Sequence, residues 1–266
     1  MDSSGDIYSH GHHESVLRSH KWRTVGNSAE YLKKHLIKGA YVLDVGCGPG
    51  NLTASISELV NPGVVIGIDI AHDVIADART EFGSDRVSFE VADIYALKYS
   101  ENEFDVVHAH QVLQHLGNPI AALHEMKRVV KTGGVVAVRD SDYEAMLWSP
   151  EDPVLDRWLD IYRKLARRNG AEPDAGRFLG EWARAVGFED IVVSDSEWSF
   201  VNEEDRNWWG NLWADRVLQS QYRVQGLNYG LTTISELEEI ATAFRRWADK
   251  PIGSFVVKHG EVLARK

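Results

Sequence analysis

The sequence predicts a doubly wound α/β fold: a seven-stranded, mostly parallel sheet with helical lid insertions. Three observations predict it. Short β-branched runs alternate with amphipathic stretches from about residue 27 to 140, the pattern of parallel strands joined by right-handed crossovers. A glycine-rich turn, VGCGPGN, joins the first strand run to a helical stretch. Two further strand-like runs, FEDIVVSDSEWSF and SFVVKHGEVLAR, follow residue 140 and extend the sheet to seven strands. Between those last two runs lies a helical insertion, residues 201–251. The expected organisation is an N-terminal segment (1–26), an α/β core (27–140) and the rest of the sheet with a helical cap (141–266).

The elements follow in order. Asn27 can cap a helix, with Glu30 three residues on and Tyr31, Leu32, His35 and Leu36 behind it. YVLDV (41–45) is a buried strand, and NLTASISELV (51–60) has helical spacing that stops at Asn61-Pro62-Gly63. VVIGIDI (64–70) is the second strand. HDVIADARTEF (72–82) is a helix with Val74, Ile75, Ala78 and Phe82 on one face. VSFEV (87–91) and FDVVHAH (104–110) are the third and fourth strands. NPIAALHEMKRVV (118–130) is a helix closed by Thr132-Gly133-Gly134, and VVAVRD (135–140) is the fifth strand. Beyond it, Asp152-Pro153 starts a helix with proline at its first position. Asp174 starts another, carrying Phe178, Leu179 and Trp182, and Thr233-Ile234-Ser235-Glu236 is a capping box for a third.

Bulk properties exclude several roles. Asp and Glu outnumber Lys and Arg by 40 to 29, giving a formal charge of −11. Such a chain repels a phosphate backbone, so nucleic acid is not an expected partner. The single cysteine, Cys47, cannot form an intramolecular disulfide, which fits a reducing compartment. The first residues, MDSSGDIYSHGHHE, lack an apolar signal core, and no apolar run reaches membrane-spanning length. The expectation is a cytoplasmic protein, monomer or homodimer, acting on a small molecule.

The glycine-rich turn carries the chemistry. Gly46, Gly48 and Gly50 permit a sharp turn and close approach of a ligand to the following helix N-terminus. Asp44 precedes them, where its carboxylate can meet an ammonium. Asp69 ends the second strand nineteen residues after Gly50, the place for a carboxylate that accepts hydrogen bonds from a ribose diol. The spacing is G-x-G-x-G rather than the G-x-G-x-x-G of a pyrophosphate cradle, and no P-loop lysine follows.

These residues resemble motif I of the class I S-adenosylmethionine-dependent methyltransferases, D/E-x-G-x-G-x-G. VADIYAL (91–97), FDVVHAHQVLQHL (104–116) and EMKRVVKTGGVVAV (125–138) resemble that family's later motifs in order and spacing. Within the family the chain looks most like the quinone-biosynthesis-type group of small-molecule enzymes. The resemblance implies a Rossmann-like methyltransferase fold that uses S-adenosylmethionine, releases S-adenosylhomocysteine and needs no metal. It implies a cofactor site at Asp44, Gly46, Cys47, Gly48, Gly50, Asp69 and Ile70, with Ala92, Asp93 and Ile94 at the adenine and His110 and Gln111 at the methionine moiety. Cys47 packs in the loop and has no redox role. The chemistry agrees: a sulfonium and an ammonium suit an acidic loop better than a dinucleotide does. The activated methyl mainly needs donor and acceptor held in line.

The stretch YSHGHHESVLRSH (8–20) holds four histidines. His10, His12 and His13 are too close together to form a tetrahedral set, and no cysteine lies near, so zinc is disfavoured. The resemblance instead implies a mobile lid over the methyl donor, with Tyr8, Arg18 and Trp22 at the cofactor. His12 and His115 are the candidate catalytic side chains, with a packed or helix-capping histidine as the alternative for His115. Eight of the nine tryptophans follow residue 140. Of these, Trp148, Trp208, Trp209 and Trp213, with His13 and Tyr143, are candidates for the acceptor pocket. The expected acceptor is a small apolar or aromatic molecule. The rival readings are a non-catalytic S-adenosylmethionine-binding scaffold and an NAD(P)-dependent oxidoreductase on a similar fold.

Overall fold

The structure, a computed structural model, describes residues 14–266. Tyr8, His10, His12 and His13, and the roles expected of them, lie outside the described residues. In chain order the elements are α1 (Glu14–Lys21), α2 (Val25–Ser28), β1 (Tyr41–Val45), α3 (Asn51–Val60), β2 (Val64–Asp69), α4 (His72–Phe82), β3 (Val87–Val91), β4 (Phe104–His110), α5 (Pro119–Val129) and β5 (Val130–Ser149). Then come α6 (Pro153–Arg168), α7 (Leu179–Ala185), β6 (Asp190–Phe200), α8 (Glu203–Gln219), α9 (Gln221–Asn228), α10 (Ile234–Ala248) and β7 (Ser254–Arg265).

The strands form one seven-stranded sheet in the order β3-β2-β1-β4-β5-β7-β6. Neighbours from β3 to β5 are parallel, and β7 runs antiparallel to both β5 and β6. The order reverses between β1 and β4, so a crevice opens at their carboxyl ends, where such sheets bind ligands. β1 and β4 are buried almost throughout because helices cover both faces. Leu43, Ile68, Val107 and Val138 pack on one side with Leu123 and Met126 of α5, and Val42, Val65 and Val106 pack on the other with Leu52 and Ile56 of α3.

A separate aromatic core lies beyond the carboxyl ends. Trp158 of α6, Trp213 of α8, Phe244 of α10 and Phe255 of β7 meet there, with Trp158 4.5 Å from Trp213 and 5.0 Å from Phe244. The insertion between β6 and β7 supplies α8, α9 and α10. No helix among the described residues is long and apolar enough to cross a membrane.

Three expectations need correction. Asn27 does not cap the expected helix: Thr24 is the N-cap, and Asn27 accepts from its backbone N–H at 2.8 Å. The chain then breaks at Ala29 into a 3-10 turn, Glu30–His35. The reason is tertiary: the Trp198 indole donates to the Asn27 carbonyl at 2.5 Å, occupying the acceptor a continuing helix needs. Asp174 starts only a 3-10 turn, Ala175–Arg177, because its carboxylate is taken by Arg163 and Arg167 instead of an α-helical amide. The fifth strand is longer than expected. It runs on to Ser149 because β7 offers a long antiparallel partner, with a register shift between Asp142 and Leu147.

Candidate active site

The glycine loop follows β1 in backbone that other residues would not accept. Gly46 has φ +66°, and a Cβ there would lie 2.4 Å from Val112 Cγ2. Gly50 has φ +87° as N-cap of α3, and its Cβ would strike the Phe89 ring at 2.7 Å. The Asp69 carboxylate ties this loop to the end of β2: one oxygen accepts from Gly48 N and the other from Ala71 N, both at 3.0 Å. Asp44 is buried and oriented by Thr53 Oγ1 at 2.6 Å and His108 Nδ1 at 2.8 Å. The Cys47 thiol is pushed well up by burial, with Asp44 and Asp69 adding to the effect, so it is protonated and inert.

A narrow pocket lies at this loop, walled by Asp44, Gly46, Cys47, Leu52 and His110 with His20 and Arg23 closing it. Asp69, Ile70, Ala92, Asp93 and Ile94 sit at the ends of β2 and β3, outside those walls. Asp93 accepts from Tyr95 N at 2.9 Å, Ala92 N donates to the Asp69 carbonyl at 3.1 Å, Ile70 is 65% exposed and Ile94 is buried.

The second pocket adjoins the first, since His20 and Arg23 line both. Its walls include Gln111, Gln114, His115, Ser141, Tyr143, Trp198, Trp209, Trp213 and Arg216. Gln111 adopts φ +53°, a strained conformation for a residue with a side chain. It is held from all sides: its amide nitrogen reaches Ser141 Oγ at 2.7 Å and His259 Nε2 at 3.0 Å, Arg23 donates to its Oε1, and its backbone N–H donates to the Arg139 carbonyl at 2.7 Å. Strain of this kind gathers at functional sites.

Three imidazoles here, those of His110, His115 and His259, are held toward the neutral form. Burial holds His110 and His259 well below the usual histidine value, with Arg23 and Arg139 opposing their charge further. His115 keeps part of its surface open, yet desolvation, then Arg23 and Arg216, hold it down to about 3. Both ring nitrogens of His110 lack a partner among the described residues. Asp140, buried beneath the turn after β4, accepts from Gln114 N at 3.1 Å and is pushed up to about 7 by that burial.

The other expected pocket residues divide. Tyr143, Trp209 and Trp213 line the aromatic pocket. Trp148 lies on β5, not in a connection, and stacks on Phe255 at 5.5 Å inside the aromatic core. Trp208 packs against Trp22 at 5.3 Å, and Trp22 also meets the edge of Trp198 at 5.1 Å. Arg18 pairs with Asp215 of α8 at 3.1 Å.

Sequence reading missed His20, Arg23, Gln114, Ser141, Trp198 and Arg216. Two signals were present. Trp209, Trp213 and Arg216 are spaced i, i+4, i+7, one face of a helix. Ser141 and Tyr143 are two apart on one strand, facing one side. Met146 joins them only because the irregularity in β5 re-aims it. Among the described residues no group of three or more His, Cys, Asp or Glu is arranged to hold a metal ion.

Comparison with known proteins agrees with this geometry. Residues 36–170 match the model of a methyltransferase domain family. An uncharacterized methyltransferase of Schizosaccharomyces pombe is 33% identical over 270 residues, covering 97% of this chain and 96% of the relative. The ubiquinone/menaquinone biosynthesis C-methyltransferase of Bdellovibrio bacteriovorus is 33% identical over 146 residues, 52% of this chain and 55% of its own. Among solved structures, a Haemonchus contortus phosphoethanolamine N-methyltransferase, in complex with phosphomonomethylethanolamine and S-adenosylhomocysteine, superposes with a TM-score of 0.54. It is 14% identical and covers 86% of this chain and 49% of its own, a likeness of fold. The full-length match and the family model, on a sheet with this strand order and glycine loop, show that the chain belongs to the class I methyltransferase family.

Proposed function

We propose that the protein transfers a methyl group from S-adenosylmethionine to a small aromatic acceptor. The observation that carries this reading is the junction of the two pockets at His20 and Arg23. A group held at the glycine loop and one held among the tryptophans would meet across those two side chains.

The residues fit the cofactor. Asp44, Asp69 and Asp93 with no lysine after the glycine turn suit an ammonium, a sulfonium and a ribose, and disfavour a pyrophosphate. His110, whose ring nitrogens have no partner among the described residues, lines the same pocket. S-adenosylmethionine supplies a methyl group already activated by its sulfonium. The chain's own residues hold and enclose. Asp69 would accept the ribose hydroxyls, Asp44 would set a negative field for the ammonium, and Asp93 with the Ile94 backbone would meet the adenine. Trp198, Trp209, Trp213 and Tyr143 give the acceptor flat apolar walls and exclude water. Holding two groups in reacting geometry can supply about 7–11 kcal/mol of a barrier. His115, neutral at pH 7 and weakly basic, orients the acceptor by hydrogen bonding.

Ser19, His20 and Arg23 border one pocket or both, so this segment would act as a lid that moves aside when either ligand loads. The cofactor reading is tested by calorimetry with S-adenosylhomocysteine against NADH, and by production of S-adenosylhomocysteine from S-adenosylmethionine with a metabolite extract. Binding of NADH alone, or cofactor binding with no turnover, would replace methyl transfer by an oxidoreductase or a scaffold.

A further inference from the structure

Two glutamines, Gln111 and Gln114, follow β4, and a partner that only donates sets the direction of each side-chain amide. Arg23 meets Gln111 at Oε1. A guanidinium has no lone pair to offer, whatever other groups it touches, so the carbonyl end of this amide faces Arg23 and the NH2 end faces the other way. There the nitrogen lies 2.7 Å from Ser141 Oγ and 3.0 Å from His259 Nε2. Those two residues are register partners on β5 and β7, so their side chains leave the sheet together on one face. Gln114 repeats the pattern. Its Oε1 accepts from the Ser141 backbone N–H at 3.0 Å, and its NH2 end lies 3.0 Å from His115 Nε2.

Directionality then fixes the protons. Both NH2 groups donate, so His259 and His115 each turn a lone pair toward the amide at Nε2 and carry their proton on Nδ1, as neutral rings can. Burial keeps both rings in that form. Ser141 Oγ likewise accepts from Gln111, so its own proton points away from that amide. Ser141 lines the aromatic pocket with Tyr143, Trp198 and Trp209, which places an O–H donor among flat apolar walls. The Nε2 lone pair of His115, on the same wall, is already used by Gln114. An oxygen that carries no proton of its own suits such a wall, whereas a hydroxyl would bring a second proton in need of an acceptor. We propose that Ser141 determines acceptor specificity within the methyl-transfer reading, on which this inference rests: its hydroxyl donates to a carbonyl oxygen on a flat aromatic acceptor. Gln111 and Arg23 are the positioning residues that hold the hydroxyl in that direction.

The test sets aromatic ketones against hydrocarbons of the same shape, indanone with indane and tetralone with tetralin, titrated into the full chain with and without S-adenosylhomocysteine. At least one ketone should bind, and its affinity relative to the hydrocarbon should fall about five-fold or more in Ser141→Ala, the value of one hydrogen bond. S-adenosylhomocysteine affinity should stay within about two-fold, since Ser141 lies outside the glycine-loop pocket. Gln111→Glu leaves Ser141 in place but turns the donor beside it into an acceptor. Ser141 should then give its proton to the new carboxylate, and the ketone preference should fall as it does in Ser141→Ala. Infrared difference spectra of a ketone isotope-labelled at its carbonyl supply a second readout. The stretching band of the bound ketone should lie below its position in a hydrocarbon solvent and move back toward it in Ser141→Ala. If Ser141→Ala does not fold, the wild-type band and Gln111→Glu decide. No binding by either ketone, a preference that survives Ser141→Ala or Gln111→Glu, or an unshifted carbonyl band would overturn the assignment. Failure to bind S-adenosylhomocysteine with the ketone preference and the shifted band intact would instead overturn methyl transfer and leave the Ser141 donor standing.

Discussion

At the scale of single residues, the site is built from side chains that hold backbone in unusual places. Asp69 anchors the glycine loop through Gly48 and Ala71, and its remaining lone pairs are the proposed acceptors for a ribose. Asp69→Ala should weaken cofactor binding by about 1.5–3 kcal/mol, the value of hydrogen bonds to a charged group; an unchanged dissociation constant in a folded variant would remove the assignment. Gln111 presents a different trade. Gln111→Gly relieves a positive φ that costs about 1–3 kcal/mol, yet it also removes the amide that links Arg23, Ser141 and His259. The expected result is a melting temperature that holds or rises while turnover falls at least about ten-fold, because stability and function are set against each other at strained sites. A parallel loss of both would mean that the side-chain bonds outweigh the strain.

At the scale of elements, much was legible and the exceptions have identifiable causes. Strands β1, β2, β3 and β4 and helices α3, α4 and α5 follow from period and caps alone, because each buries a face its own sequence declares. The helix expected from Asn27 did not form as written, since Trp198, 171 residues away, takes the Asn27 carbonyl. No local pattern contains that contact. The glycine loop and the ends of β2 and β3, where the cofactor residues are expected, were likewise readable as local structure, being one loop and two strand ends. The aromatic pocket was readable only in part: Tyr143, Trp209 and Trp213 line it as expected, whereas Arg23, Ser141, Trp198 and Arg216 come from distant elements and meet only after folding. Residues 14–23, the described part of the proposed lid, rest on α8 through Arg18 with Asp215 and Ser19 with Arg216. Deleting residues 1–22 should therefore leave the glycine loop and Asp69 in place, weaken S-adenosylhomocysteine binding only moderately, and reduce turnover much further. Hydrogen exchange across residues 14–23 should slow when S-adenosylhomocysteine binds. Full activity of the truncated chain with equal exchange in both states would make this segment a mere surface arm.

At the scale of the whole molecule, the cost of a site lined with buried imidazoles appears as sensitivity to acid. His110, His115 and His259 are all held below the value of an exposed histidine, His115 down to about 3. Unfolded, each takes a proton near pH 6.5, while folded they stay neutral, so the unfolded chain binds more protons as pH falls below about 6.5. Stability must then fall with acidification, by about 1.4 kcal/mol per pH unit for each proton of difference. Asp140 works in the opposite sense. Its folded value is raised to about 7, so its contribution is present at low pH and is lost as pH rises through 7. Three groups oppose one, and the net slope between about pH 4 and 6.5 should remain a loss on acidification. Urea unfolding at pH 7.5, 6 and 5 measures it. His115→Gln removes one of the three and should flatten the slope, whereas Asp140→Asn removes the counterweight and should steepen it. If both variants keep the wild-type slope, neither group titrates differently in the folded and unfolded chain, and the acid sensitivity arises elsewhere.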